Sequence, residues 1–411
     1  MSESFTTFIL GTEIAVYGVA RAFYQQYGMT SHVYGVAPLA FTAHSKFIDV
    51  HTTSDFMNPD VFVKTLNEAA AAYAQSNPGA TIVVIPGGDD YSNLLSQNKQ
   101  RLDAPLVPIV ADPDTIANVS NKETFYALCE RAGVPFPATQ VVGNVSRADL
   151  AKLSITYPVV VKPTDGKTFR NHPFEGQKKA FILNSFDQLA EVFELAYAAG
   201  YPDKLVVQDC VPGDDSFMRV VNGYVTKSGK LSLVSMGQPL LEDYSPMAIG
   251  NYAAILSHGD NKVYAQVEKL ISATHYEGFF NLDLKYDSRD GSYKFLDFNP
   301  RLGRSSYYVT LSGNNIAKFV VADVVKGQPL PLSVGTQEYV WLGVPKGVMK
   351  KYASDNAAKK TALKLLRAGK YGSTVWGERD RDLHRLTSMT SYWLRFFPQY
   401  MKHYGHREFE G

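Results

Sequence analysis

Residues 6–10 form an apolar run of strand length, closed by Gly11 and followed by Val16, Val19, Ala20, Phe23 and Tyr27 on one helical stripe. Similar strand-length runs recur at 31–36, 81–85 and 106–110, with a helical pattern over 60–74 between them. Strands alternating with helices predict an α/β fold that opens on a parallel sheet. The turn Pro86-Gly87-Gly88-Asp89-Asp90 falls at the carboxyl end of one strand, where such sheets place ligands.

Near residue 120 the pattern changes. A helix over 122–132 runs into the stiff connector Gly133-Val134-Pro135-Phe136-Pro137. Strands follow at 157–163, 180–183, 205–209, 217–225 and 231–237, with helices through 189–196 and 263–273. This order predicts three parts: an N-terminal α/β domain over 1–120, a second domain over 121–330 with a flexible subdomain at about 157–210, and a C-terminal segment over 331–411.

The stretch 278–306, GFFNLDLKYDSRDGSYKFLDFNPRLGRSS, reads as a hairpin. Alternation puts Asn281, Asp283 and Lys285 on one face of its first strand. In the second, Phe295, Asp297 and Asn299 alternate with Lys294, Leu296 and Phe298. A turn centred on Asp290 sets Asp283 opposite Asp297 and Asn281 opposite Asn299. Like charges at directly opposed positions are destabilising, so something positive belongs between them. Two carboxylates and an amide oxygen are the hard ligands that Mg2+ prefers. Arg301 and Arg304 follow at once, placed to neutralise charge on a reacting acyl or phosphoryl group.

Lys162 ends the run Val159-Val160-Val161 before Pro163, aiming a charge at phosphate from the end of a strand. The loop 164–179 carries Lys167, Arg170, Lys178 and Lys179 and has the make-up of a phosphate lid. Gly166-Lys167-Thr168 is not a P-loop, because Val161 stands where its first glycine is required. In LVVQDCVPGDDS (205–216) an apolar strand meets a Pro-Gly turn and two acids, a setting for adenine and ribose.

Charge is balanced, with 41 Lys/Arg against 40 Asp/Glu, so nucleic acid is not an expected partner. From 346 to 411, however, 14 Lys/Arg face 6 Asp/Glu, amid Trp376, Tyr392, Trp393, Phe396, Phe397, Tyr400 and Tyr404. That segment reads as a solvated helical face, with contact to an anionic substrate or a weak contact with the inner membrane surface as the other option. The amino terminus carries Glu3 and Glu13 in place of a basic leader, no apolar run is long enough to span a bilayer, and the 2 cysteines lack metal spacing; a cytoplasmic protein is expected.

In order, NK at 121–122, GVPFP, YPVVVKP, QDCVPGDD, LDLKYD and FLDFNPR resemble the ATP-grasp superfamily. The resemblance implies an ATP-grasp fold behind a Rossmann-like pre-ATP-grasp domain, with ATP and Mg2+ as cofactors. It further implies that Lys122 and Lys162 contact phosphates, Gln208 and Val211 line adenine, Asp215 binds ribose, and Asp283, Asp297 and Asn299 hold magnesium. Lys179 and Asp209 join them as candidate nucleotide contacts. The superfamily usually carries Glu where this chain has Asp297.

Segments such as FILGTEIAVYGVARAFYQQYG, GQPLLEDYSPMAIGNY, GRSSYYVTLSGNN and KYGSTVW are similar to the D-aspartate ligases of peptidoglycan synthesis. This implies activation of the β-carboxylate of D-aspartate as an acyl phosphate, followed by attack of a lysine ε-amine in a UDP-MurNAc peptide. Arg301 and Arg304 are then the candidate catalytic residues, and Arg219, Arg304 and Ser305 the candidates for gripping the amino acid. The alternatives are an ATP-grasp ligase for another amino acid or small carboxylate, an ATP-grasp kinase, or a non-enzymatic nucleotide-binding module, which would tolerate loss of a metal carboxylate whereas both are intact here.

Overall fold

The computed structural model describes residues 4–404 apart from 246, 247, 249, 378 and 379. Glu3, part of the segment 237–252 and the last residues of the basic tail therefore lie outside the described residues.

The first apolar runs become β1 (Phe5–Leu10), β2 (Ser31–Gly35), β4 (Thr81–Pro86) and β5 (Leu106–Pro108), and a further strand, β3 (Ile48–Thr52), joins them. They pair in parallel in the order β3-β2-β1-β4-β5. Strand order thus reverses between β1 and β4, so the loops that leave their carboxyl ends diverge and open a crevice. The strand β3, with the mixed sequence IDVHT, carries no apolar run by which to recognise it.

A second sheet of β6 (Thr139–Val142), β7 (Val159–Pro163), β8 (Phe181–Leu183) and β9 (Leu205–Asp209) is antiparallel in the order β6-β9-β7-β8. It closes on its own core of Val159, Val161, Phe181, Leu189, Phe193 and Val207. It begins at 139, ahead of the 157 expected from the sequence.

The third sheet holds β10 (Met218–Val225), β11 (Leu231–Glu242), β12 (Tyr252–Ser257), β13 (Gly278–Asp287), β14 (Ser292–Asn299), β15 (Ser333–Gly335), β16 (Tyr339–Leu342) and β17 (Tyr371–Gly372). The stretch beyond 330 is therefore part of this sheet, since β15 pairs β11 and β16 pairs β12. Its aromatics are largely structural: Phe396 and Tyr400 are buried with Val340, Leu342 and Leu241. Phe8, Val84 and Leu106 share one core with Val221, Leu282 and Phe298, so the first sheet's core runs into the third's. Among the described residues no helix is long and apolar enough to cross a membrane.

Candidate active site

The hairpin β13–β14 pairs Asp283 with Asp297 and Asn281 with Asn299, as the sequence predicts. It reaches that register by a different route. Next to the turn, Asp287 pairs Ser292 and Lys285 pairs Lys294; continued unchanged, that register sets Asp283 against Leu296. A β-bulge at Leu296 inserts one residue and moves the carboxylates into opposition. It also corrects the predicted faces: Phe295 pairs Leu284 in the core, on the side opposite Asp297. The freed Leu296 carbonyl accepts from Tyr126 Oη at 2.9 Å and from Lys162 Nζ at 3.3 Å.

Two lysines from different elements converge on Asp297. The helix Lys122–Ala132 starts at the Asn121 cap, whose side chain accepts from the backbone N–H groups of Glu123 and Thr124. Its first residue therefore projects Lys122 Nζ to 2.7 Å from Asp297 Oδ1, while Lys162 Nζ from β7 stands 4.0 Å from Oδ2. Burial raises the Asp297 pKa, but Lys122, Lys162 and Lys179 outweigh it and hold the carboxyl well below the usual range. Burial likewise pushes the Lys162 ammonium down, against the pull of Asp297 and Asp283.

Asp283 has less of that cover, and Lys179 and Arg301 do not offset its burial. Tyr252 Oη donates to its Oδ1 at 2.9 Å and Asn299 Nδ2 to its Oδ2 at 3.3 Å, yet burial and the Asp297 charge push its pKa up. Nearby Glu242, at the end of β11, is pushed up to about 8 by burial and by Asp215 and Asp283. Sequence reasoning missed Glu242 and Tyr252, which pair across β11 and β12. The signal available was the apolar run in QPLLE, which extends that strand past 237. Acids whose ionisation is resisted by one another mark a place short of positive charge.

Other predicted residues divide clearly. Gln208 lies opposite Val160 and so shares the face of Lys162, where its Nε2 donates to Thr139 Oγ1 at 2.7 Å. Val211 is buried just beyond, and Asp215 accepts from Tyr244 Oη. Asp209 lies opposite Val159 on the other face of β9, and Arg289 clamps it together with Asp287. It is not brought to the site.

Arg301 reaches Asp89 of the first domain, Nε to Oδ1 at 3.0 Å, and stays 3.4 Å from Asn299 Oδ1. Arg304 donates to Tyr392 Oη at 3.1 Å in a recess that Tyr252 also lines. Ser305 is buried, and its carbonyl accepts from the Tyr308 N–H.

Arg219 requires the plainest correction. Opposed residues in an antiparallel pair share a face, and Arg219 pairs Leu284 whereas Val220 pairs Asp283. Its guanidinium therefore lies on the far side of β10, over the Tyr293 ring, donating to the carbonyls of Ser216 and Met218. That makes it a brace for the turn that carries Asp215.

No family model matches the chain. It is 36% identical over 415 residues to a D-aspartate ligase of Enterococcus faecium (strain Aus0004), covering 99% of this chain and 98% of the relative. In fold it is similar to the ADP complex of N5-carboxyaminoimidazole ribonucleotide synthetase, with a TM-score of 0.59 and 16% identity over 83% of this chain and 81% of that one. An L-amino acid ligase from Bacillus licheniformis gives a TM-score of 0.53 and 14% identity over 80% and 77%.

Proposed function

Since the chain belongs to the D-aspartate ligase family within the ATP-grasp superfamily, and is thus an ATP-dependent carboxylate–amine ligase, we propose that it joins the β-carboxylate of D-aspartate to the lysine ε-amine of a UDP-MurNAc peptide. The observation that carries this reading is the opposition of Asp283 and Asp297, one ringed by lysines and the other with too little positive charge nearby to offset its burial and its partner.

The donor set fits magnesium. Asp283, Asp297, the Asn299 amide oxygen and neighbouring Glu242 are hard oxygen ligands from adjacent strands, and the raised Asp283 and Glu242 pKa values mark a deficit that a divalent ion removes. When bound there, magnesium supplies charge neutralisation to the phosphate oxygens of ATP. Lys122 and Lys162 are placed to turn from Asp297 to those oxygens when the metal takes up the carboxylate's charge. Gln208 and Val211 lie on the strand end that suits adenine, and Asp215, oriented by Tyr244, suits the ribose hydroxyls.

Arg301 lies between the hairpin and the first domain, where its fixed guanidinium neutralises charge that develops on the activated carboxylate. Attack of the lysine amine on that acyl phosphate then releases phosphate. Arg304, in the recess beside Tyr252 and Tyr392, is suited to the anionic acceptor.

The test is ADP release by the purified chain, measured with each D- and L-amino acid, with and without a lysine-bearing UDP-MurNAc peptide. Turnover is expected to require D-aspartate, the peptide and Mg2+ together. Turnover driven by L-glutamate, or by D-aspartate without any acceptor, overturns the assignment.

A further inference from the structure

Glu13 closes the loop between β1 and the helix Ile14–Tyr27, directly at the crevice where the strand order of the first sheet reverses. Leu10 and Pro86 are in register, and the Gly87 N–H donates to the Leu10 carbonyl at 2.8 Å, so the loops leaving β1 and β4 are tied together there. The Glu13 carboxylate folds back over three glycines. A Cβ on Gly11 would come within 2.5 Å of its Oε2, and one on Gly87 or Gly88 within 2.9 or 3.2 Å of its Oε1. Gly11 also has φ +103°, open only to glycine.

This carboxylate is held by backbone, with the Thr12 N–H donating to Oε2 at 2.9 Å, and among the described residues no cationic side chain makes an ion pair with it. Burial accordingly pushes its pKa up, with Arg301 the one charge that draws it down. Arg301 is already paired with Asp89, the residue after Gly88. An acid kept in a glycine cradle at the ligand end of a doubly wound sheet, beside the arginine of the reacting centre, has the character of a receptor for a cation.

We propose that Glu13 accepts the α-ammonium of the amino-acid substrate and so selects an α-amino acid over a plain dicarboxylic acid. This rests on the ligase reading above. In aspartate only two carbons separate the ammonium nitrogen from the β-carboxyl carbon, so its acceptor must stand close to the group that handles the reacting carboxylate. Glu13 meets that demand through the β4 turn, since its Oε1 lies against Gly88 and the next residue, Asp89, holds Arg301. The ammonium plays no covalent part; its capture fixes which carboxylate faces ATP.

The experiment compares D-aspartate with succinate, the same diacid without the ammonium, by initial rates of ADP release at saturating ATP and acceptor. The wild-type chain is expected to prefer D-aspartate by at least about 100-fold in kcat/KM, since a half-buried carboxylate left unpaired rejects the deaminated analogue. Glu13→Gln should raise the KM for D-aspartate at least about 10-fold and reduce that preference below about 10-fold, with the KM for ATP within about 2-fold. Gly88→Ala, which crowds Oε1 and leaves the carboxylate in place, should move the same two quantities in the same direction and serves if Glu13→Gln does not fold.

A Glu13→Gln enzyme with wild-type KM and preference, or a wild-type enzyme that turns over succinate as well as D-aspartate, overturns the proposal. A wild-type chain inactive with D-aspartate sinks the substrate reading instead. The same comparison, made with whichever amino acid supports turnover and its deaminated acid, then decides the role of Glu13 separately.

Discussion

Lys122 Nζ lies 2.7 Å from Asp297 Oδ1, so the first residue of a helix and the carboxylate of a distant hairpin strand neutralise one another in the proposed nucleotide site. Half of the hairpin's acid pair is thereby held ionised. Replacing Lys122 or Lys162 with methionine should raise the KM for ATP by about 10-fold or more, through loss of a charge-assisted phosphate contact. Steady-state kinetics at fixed Mg2+ checks this; an unchanged KM would mean that the lysine serves only Asp297.

Asp297→Asn keeps the shape of the side chain and removes its charge. With the divalent ion and both lysines deprived of their partner, kcat should fall by about a thousandfold or more. Tyr252→Phe is the milder companion. It deletes the hydroxyl that donates to Asp283 and should change the Mg2+ concentration for half-maximal rate by about 3-fold or more, leaving kcat at saturating Mg2+ within about 2-fold. Wild-type Mg2+ titrations in both variants would remove the metal from this hairpin.

Glu242 provides a pH signature. Its carboxyl ionises near 4.5 in the unfolded chain and near 8 in the folded one, so between those values the folded state holds the extra proton. The stability it contributes is complete below about 4.5 and is lost as pH rises through about 8. Thermal melts without nucleotide should show Glu242→Gln flattening the decline between pH 5 and 8 by at least about 1 kcal/mol. Parallel wild-type and variant curves would contradict the crowding of Asp215, Glu242 and Asp283.

Arg219→Ala tests the face assignment. Loss of two carbonyl hydrogen bonds and the Tyr293 contact should cost about 2–4 kcal/mol of stability, visible as a lowered Tm. The KM for D-aspartate should change by less than about 3-fold, because the guanidinium lies across the sheet from Asp283. A large rise in that KM with an unchanged Tm would return Arg219 to the substrate.

What the sequence determined by itself was local and periodic. The strand–helix alternation of the first sheet, the helix that presents Lys122, the strand that ends at Lys162 and the hairpin that carries Asp283 and Asp297 all follow from spacing and turn chemistry, which the chain carries in contiguous residues. Tertiary structure decided the rest. Phe295 left the face of Asp297 because an inserted residue at Leu296 breaks a period of two, and no local pattern marks where a strand will bulge against its partner. Arg219 and Asp209 belonged to the expected site until their cross-strand neighbours put them on other faces, while Glu242 and Glu13 entered only when distant segments closed around them. A side chain's direction is set by its own strand, but what it meets there depends on elements tens to hundreds of residues away, and the chemistry of this site lies in those meetings.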